Sequence, residues 1–107
     1  MILKEAPVPH PIPFDVDVPV LVTTDNRGVF FGFVAIPHDP VTKTITLRDA
    51  RCALTWPVSQ RGFLGLAAQG PLPETVVGPA VPRLTATAVT SIAAVTQDAL
   101  DAWNNQP

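Results

Sequence analysis

The chain has 107 residues, enough for one domain but not for two independent cores. Hydrophobic residues make up 47% and charged residues only 15%, and mean hydropathy is positive, which excludes wholesale disorder. A net charge of −2, with the basic residues scattered, gives no bulk field to steer a polyanion, so nucleic-acid binding is not expected.

Proline is the outlier, at 13 residues. One cysteine, Cys52, allows no internal disulfide. Met1-Ile2-Leu3-Lys4-Glu5 does not read as a signal peptide. The longest uncharged run, Leu84 to Gln97, is shorter than the roughly 18 residues of a spanning helix. The expectation is a domain that is neither secreted nor membrane-embedded.

Residues 1–19 read as an extended arm. Pro7, Pro9, Pro11 and Pro13 alternate with Val8, His10 and Ile12, and Pro19 follows. Each proline fixes its own φ and pushes its predecessor towards extended geometry, so the segment is stiff and unable to pair as a central strand. Its apolar side chains suit it to lying along a surface, its own or a neighbour's.

The folded domain is expected over residues 20–107. Val20–Thr24 is β-branched and reads as a strand, and Asp25-Asn26-Arg27-Gly28 as a turn. Val29–Ile36 is apolar on both parities, which predicts a central strand covered on both faces, ended by Pro37-His38-Asp39-Pro40. Thr44–Arg48 alternates with Ile45 and Leu47 inward. Cys52, Leu54 and Trp56 share the opposite parity, so a bulge or bend near Asp49-Ala50 is needed to keep both sets inside.

Ser59 is placed to cap a short helix over residues 60–69, ended by Gly70-Pro71. A proline-rich loop fills residues 71–82. The Thr/Ala/Val run 84–95 reads as one strand, and Thr96 caps a last short helix bearing Leu100 and Trp103. The predicted fold is α+β: a small antiparallel sheet of four or five strands with two short helices and the N-terminal arm.

Certain motifs carry a resemblance. Gly28-Val29-Phe30-Phe31-Gly32 is followed by Ile45-Thr46-Leu47-Arg48-Asp49-Ala50-Arg51-Cys52, then Trp56, then Leu66-Ala67-Ala68-Gln69-Gly70, and a strand running to Thr96 with a late Trp103. This series, over about residues 20–104, resembles an uncharacterised family of small phage- and prophage-encoded proteins. The chain departs from that pattern where Cys52 replaces the second arginine of a pair, and where Ala88 and Ser91 stand in place of acidic residues. The resemblance implies viral origin and a β-rich domain, and supplies no activity to carry over.

The chemistry-bearing residues are few. His10 and His38 stand in no ligand spacing, so neither a metal nor another cofactor is expected. Ser59 and Ser91 lack a nucleophile elbow, Cys52 reads as a small buried thiol, and Gly62–Gly65 is no phosphate loop. Enzymatic function is therefore not expected. Arg48, Arg51 and Arg61 are the densest basic group. A bend at Asp49 that turned Arg48 and Arg51 to one side would let them hold an anion, with Trp56 as a stacking face. The alternative is that Arg48 pairs with Asp49 and Trp56 is core.

An uncharged strand left at a sheet edge invites pairing with another chain. With the low charge and the arm, this predicts a homo-oligomer. Two functional expectations follow. The first is a non-enzymatic minor component of a phage particle (capsid, decoration or tail), acting through contacts with its own copies and with other phage proteins through the arm. The second is a non-structural phage factor that sequesters a small anionic ligand or a host protein. The location expected is the virion or the host cytoplasm.

Overall fold

The computed structural model describes residues 14–107. In chain order its elements are β1 (Pro19–Thr24), β2 (Val29–Asp39), β3 (Thr44–Thr55), a 3-10 turn (Val58–Gln60), α1 (Gly62–Ala68), β4 (Val76–Val77), β5 (Val81–Ala86), β6 (Val89–Ala94) and α2 (Gln97–Asn104). Among the described residues the strands form one six-stranded antiparallel sheet. Its order is β4-β3-β2-β1-β6, with β5 also pairing β3. The predicted class, a small antiparallel sheet with two short helices, is the class observed.

Both faces of β1 and β2 are covered, as their two-parity apolar sequences require. One face packs Leu21, Val29, Phe31 and Ala53 against Leu66 and Ala67 of α1 and Ala99 and Trp103 of α2. Trp103 is 1% exposed and stacks on Phe31 at 4.7 Å between centroids. Its Nε1 donates to Leu66 O at 3.2 Å, which satisfies the one polar atom it carries inward. The other face gathers Val20, Val22, Val34, Ile45, Leu47, Ala50 and Ala86.

This second cluster is enclosed by the sheet itself. Strands β5 and β6 lie on opposite edges, yet only Thr87 and Ala88 separate them. Four spacings across a flat sheet come to about 19 Å, whereas the three residue steps from Ala86 to Val89 reach about 11 Å at most. The sheet must therefore roll. Asp25 N donates to Ala88 O and Val89 N to Lys43 O, both at 3.0 Å, so the corner is tied to the β1–β2 and β2–β3 turns together. Register shifts in the β2–β3 ladder between Phe31 and Phe33, Val34 and Ile36, and Ile36 and Asp39 supply the curvature.

The predicted bulge is present at Asp49, whose φ is +51°. Phe31 pairs with Arg51 but Phe33 with Arg48, so β3 carries one extra residue there. Ile45 and Leu47 before it and Ala50 after it consequently share the enclosed cluster. Cys52, opposite Phe30, follows onto the same face. The shared inward face does not extend further: Leu54 is 58% exposed and Trp56 packs against the helix-side cluster. The β2–β3 ladder ends at the Phe30–Cys52 pair; beyond it β3 pairs only with the two-residue β4, with a register shift between Ala53 and Thr55, and Trp56 lies past its end.

Four further expectations are corrected. Strand β2 runs on to Asp39 rather than stopping at Pro37, because its last pairs are Ile36–Thr46 and Asp39–Thr44 and no ladder pair falls on Pro37. Ser59 caps nothing: it lies inside the 3-10 turn, and left-handed Arg61 (φ 66°) precedes α1 without a side-chain cap. The run 84–95 is two strands, broken where Ala88 takes φ +53°. Finally, the packed fold reaches back before Val20.

Phe14 and Val18 pack against the enclosed cluster, Asp17 N donates to Val34 O at 2.7 Å, and Val34 N donates to Val18 O at 3.0 Å. The rest of the predicted arm, residues 1–13, lies outside the described residues.

Candidate functional site

The bulge at Asp49 determines where the two candidate arginines go. Arg48, just before it, lies over the Phe33 ring at 4.6 Å, and Arg51, just after it, is the register partner of Phe31. Both phenylalanines belong to the helix-side face, so the bend does turn the arginines to one side of the sheet. It does not leave them open for a shared ligand.

Arg48 Nε donates to Asp17 Oδ1 at 3.1 Å and Nη1 to Asp49 Oδ2 at 2.7 Å. Its pKa is raised, first by the hydrogen bond to Asp17 and then by that to Asp49. Two carboxylates thus already stand where an anion would bind.

Arg51 is engaged differently. Nε donates to Gly78 O at 2.9 Å, Nη1 to Gln106 O at 3.0 Å and Nη2 to Pro107 O at 2.6 Å. It ties the segment ahead of β5 and the segment after α2 to β3. Trp56 packs in the helix-side cluster, separate from either arginine's polar contacts. The three residues singled out by sequence therefore serve the fold in three different ways.

Other chemistry-bearing residues are dispersed. Among the described residues no group of three or more His, Cys, Asp or Glu side chains gathers to hold a metal. His10 lies outside the described residues. His38 lines a shallow groove with Phe14 and Val89–Ile92, its Nε2 buried without a hydrogen-bond partner among them. Half-buried Cys52 lines a second, apolar hollow of about 280 Å³ with Phe30, Leu54, Pro79 and Leu84.

The remaining candidate is a sheet edge. Among the described residues, β6 pairs only with β1 and β5 only with β3. The β5 edge carries Pro82 and Arg83, residues that blunt an edge against further pairing. The β6 sequence, Val-Thr-Ser-Ile-Ala-Ala, carries neither a charge nor a proline. Its hydroxyls turn inward along the ladder, where Thr23 Oγ1 bonds Thr90 Oγ1 at 2.8 Å and also Ser91 Oγ.

Sequence reasoning singled out this uncharged run, though as one strand. The residue it missed is Gln60, fully buried, which bonds Gly70 O, Leu72 N and Thr75 Oγ1.

These features define a helix-flanked, rolled antiparallel sheet in which, among the described residues, the six-residue β6 lies at an edge without charge or proline. The chain belongs to the family described as domain of unknown function DUF6948, whose profile matches residues 17–103. No curated protein and no solved structure matches the chain. The family match begins at Asp17, after the proline-alternating residues 7–13. Among the described residues no helix is long and apolar enough to cross a membrane.

Proposed function

We propose that the chain is a non-enzymatic interaction protein, acting through contacts among its own copies and with neighbouring proteins as a minor component of a phage particle. The observation that carries the interaction reading is the β6 edge, free of charge and proline, beside a β5 edge that has both. The low charge of the whole chain supports self-association, because little repulsion holds copies apart. The phage setting rests on the motif series from Gly28 to Trp103. The ligand-sequestering alternative draws no comparable support, since Arg48 Nε and Nη1 already bond carboxylates and Arg51 Nε, Nη1 and Nη2 already bond backbone carbonyls.

The test is mass spectrometry of purified particles, alongside light scattering of the isolated protein. The expected result is the chain present in particles at a constant ratio to a major structural protein, and an oligomer in isolation. A chain abundant in infected cells but absent from particles would overturn the particle reading.

A further inference from the structure

Strand β5 pairs with β3 alone, and among the described residues no ladder joins its other edge to β6 or to the β1–β2 hairpin. The roll is therefore unclosed along that edge, and two hollows lie in the opening. One, of about 270 Å³, has one wall from the hairpin (Thr24, Asn26, Gly28, Phe30) and the other from residues 84–87, at the end of β5 and just past it. The second is the apolar hollow of about 280 Å³ that Cys52, Leu54 and Val81 line. Phe30 and Leu84 belong to both, so the hollows are two ends of one trough.

Each hollow alone falls just short of the roughly 300 Å³ at which small-molecule sites begin, whereas the trough they form together falls within the range. Phe30 and Leu84 also pack against the enclosed cluster, so the floor of the trough is the core itself. The Phe30 ring lies close over Gly28, where a Cβ would come within 2.6 Å of it. An apolar chain seated on this floor would complete a cover that the sheet leaves open.

The two ends differ in chemistry. Leu54, 58% exposed, and Val81 stand at the lip of the apolar end beside half-buried Cys52. The other end carries the exposed Asn26 and Thr87, with the Thr24 hydroxyl, which accepts from Gly28 N at 3.2 Å. Arg51 is the one charged residue on these walls, and its Nε, Nη1 and Nη2 each already bond a backbone carbonyl. A ligand therefore meets apolar surface at one end, neutral hydrogen-bonding groups at the other, and no unengaged guanidinium nitrogen between them.

We propose that the trough binds an elongated, uncharged amphipathic molecule, an aliphatic alcohol in chemical class. Its chain lies over Phe30 and Leu84 towards Leu54, and its hydroxyl meets Asn26 and Thr87. The site makes no use of the β6 edge and stands whether or not the chain self-associates.

The experiment is calorimetric titration of the full-length protein with 1-hexanol, 1-octanol and octanoate. The rate of Cys52 alkylation by N-ethylmaleimide is the second readout, because a bound chain covers the thiol. Two further methylenes buried on the trough floor should make octanol bind about tenfold tighter than hexanol. Octanoate should bind more weakly than octanol, since its charge finds no free partner, and octanol should slow the alkylation. Leu54→Glu should weaken octanol binding about tenfold or more by placing a charge at the apolar end. Asn26→Ala should weaken it a few-fold, and Leu64→Glu, on α1 across the sheet, should leave it unchanged. Circular dichroism checks the folding of each variant, and Val81→Glu serves in place of Leu54→Glu should that one not fold.

Absence of octanol binding, unprotected Cys52, hexanol and octanol of equal affinity, or equal losses from the glutamates at 54 and 64 would overturn the proposal. Binding that appears only after deletion of residues 1–13 would show that this segment fills the trough instead. Binding that weakens as protein concentration rises would show that a second copy does, and either result would also overturn it.

Discussion

Replacing Gln60 with leucine keeps the volume of a fully buried side chain and removes its hydrogen-bonding groups. Gln60 Nε2 donates to Gly70 O at 2.8 Å, while its Oε1 accepts from Leu72 N at 2.8 Å and from Thr75 Oγ1 at 2.6 Å. One side chain thus holds the turn that follows α1. Gly70 and Thr75 are buried and Leu72 is half-buried, so two partners lose their bond away from water and one has access to solvent.

Each stranded buried group costs about 1–3 kcal/mol, the half-exposed one less, which gives about 3–5 kcal/mol for Gln60→Leu. For a domain this size that is a large share of the total of about 5–15 kcal/mol. Urea unfolding measures it, and the double variant Gln60→Leu/Thr75→Val separates the mechanism. Removing the Thr75 hydroxyl as well takes away one stranded group, so the double variant is expected to lose about 1 kcal/mol less than the sum of the singles. A loss below about 1 kcal/mol for Gln60→Leu, or strict additivity, would refute the reasoning.

Gly65→Ala is expected to destabilise, although alanine is normally the better helix former. A Cβ at position 65 would lie 1.7 Å from Gln60 O, so circular dichroism and soluble yield should show a loss at or above the upper end of the ~1–3 kcal/mol typical of overpacking. Trp103→Phe removes one of two donors to Leu66 O, which keeps Gly70 N at 3.1 Å, and leaves a gap against Phe31, for about 1–3 kcal/mol by urea unfolding.

The Asp39 carboxyl is held below its ordinary value, first by the hydrogen bond from Val41 N–H and further by Thr42 and by His38. A depressed folded pKa contributes stability that is present above the unfolded value and lost as pH falls through the folded one. Carbon-detected titration should therefore place its midpoint below 3.8, and Asp39→Asn should remove that acid-range dependence while keeping an acceptor for Val41 N–H.

The sequence features that proved legible are those in which one residue acts through its own local chemistry. Asp25–Gly28 makes the β1–β2 turn, and the two-parity run of β2 implies two covered faces. Thr96 caps α2 by accepting from Ala99 N at 3.1 Å. What stayed hidden depends on partners distant in sequence or on backbone states that the residue type does not announce. Ala88 in a left-handed conformation splits one apparent strand, and neither it nor Thr87 is a turn former.

Pro37 is tolerated inside β2 only because of how the ladder shifts there. Gln60 bonds two backbone groups and a threonine 10 to 15 residues on, a pattern that no spacing rule encodes. The arginines were legible as a basic pair, and Asp49 as a partner of Arg48, but Asp17 for Arg48 and Gly78, Gln106 and Pro107 for Arg51 were not, since each reaches its arginine only in the folded sheet with α2 docked.

Asp49 is where sequence parity and backbone geometry meet, and it can be tested directly. Were Asp49 to take a regular strand position instead of bulging, Ile45 and Leu47 would share the enclosed face with residues 49 and 51, and Ala50 and Cys52 would turn to the helix side. Glycine adopts φ +51° freely, whereas a β-branched residue there pays about 1–2 kcal/mol in steric strain. Asp49→Gly and Asp49→Val both remove the carboxylate that pairs with Arg48, and that exposed ion pair contributes little in either case.

The difference between the two variants therefore isolates the backbone. Asp49→Val is expected to unfold at lower urea than Asp49→Gly, by about 1–2 kcal/mol. Deleting residue 49 altogether removes the extra residue, so β3 becomes a regular strand with Ala50 and Cys52 still on the enclosed face, and the deletion is expected to fold. Equal stability of the valine and glycine variants, or a deletion that fails to fold, would refute this account of the bend.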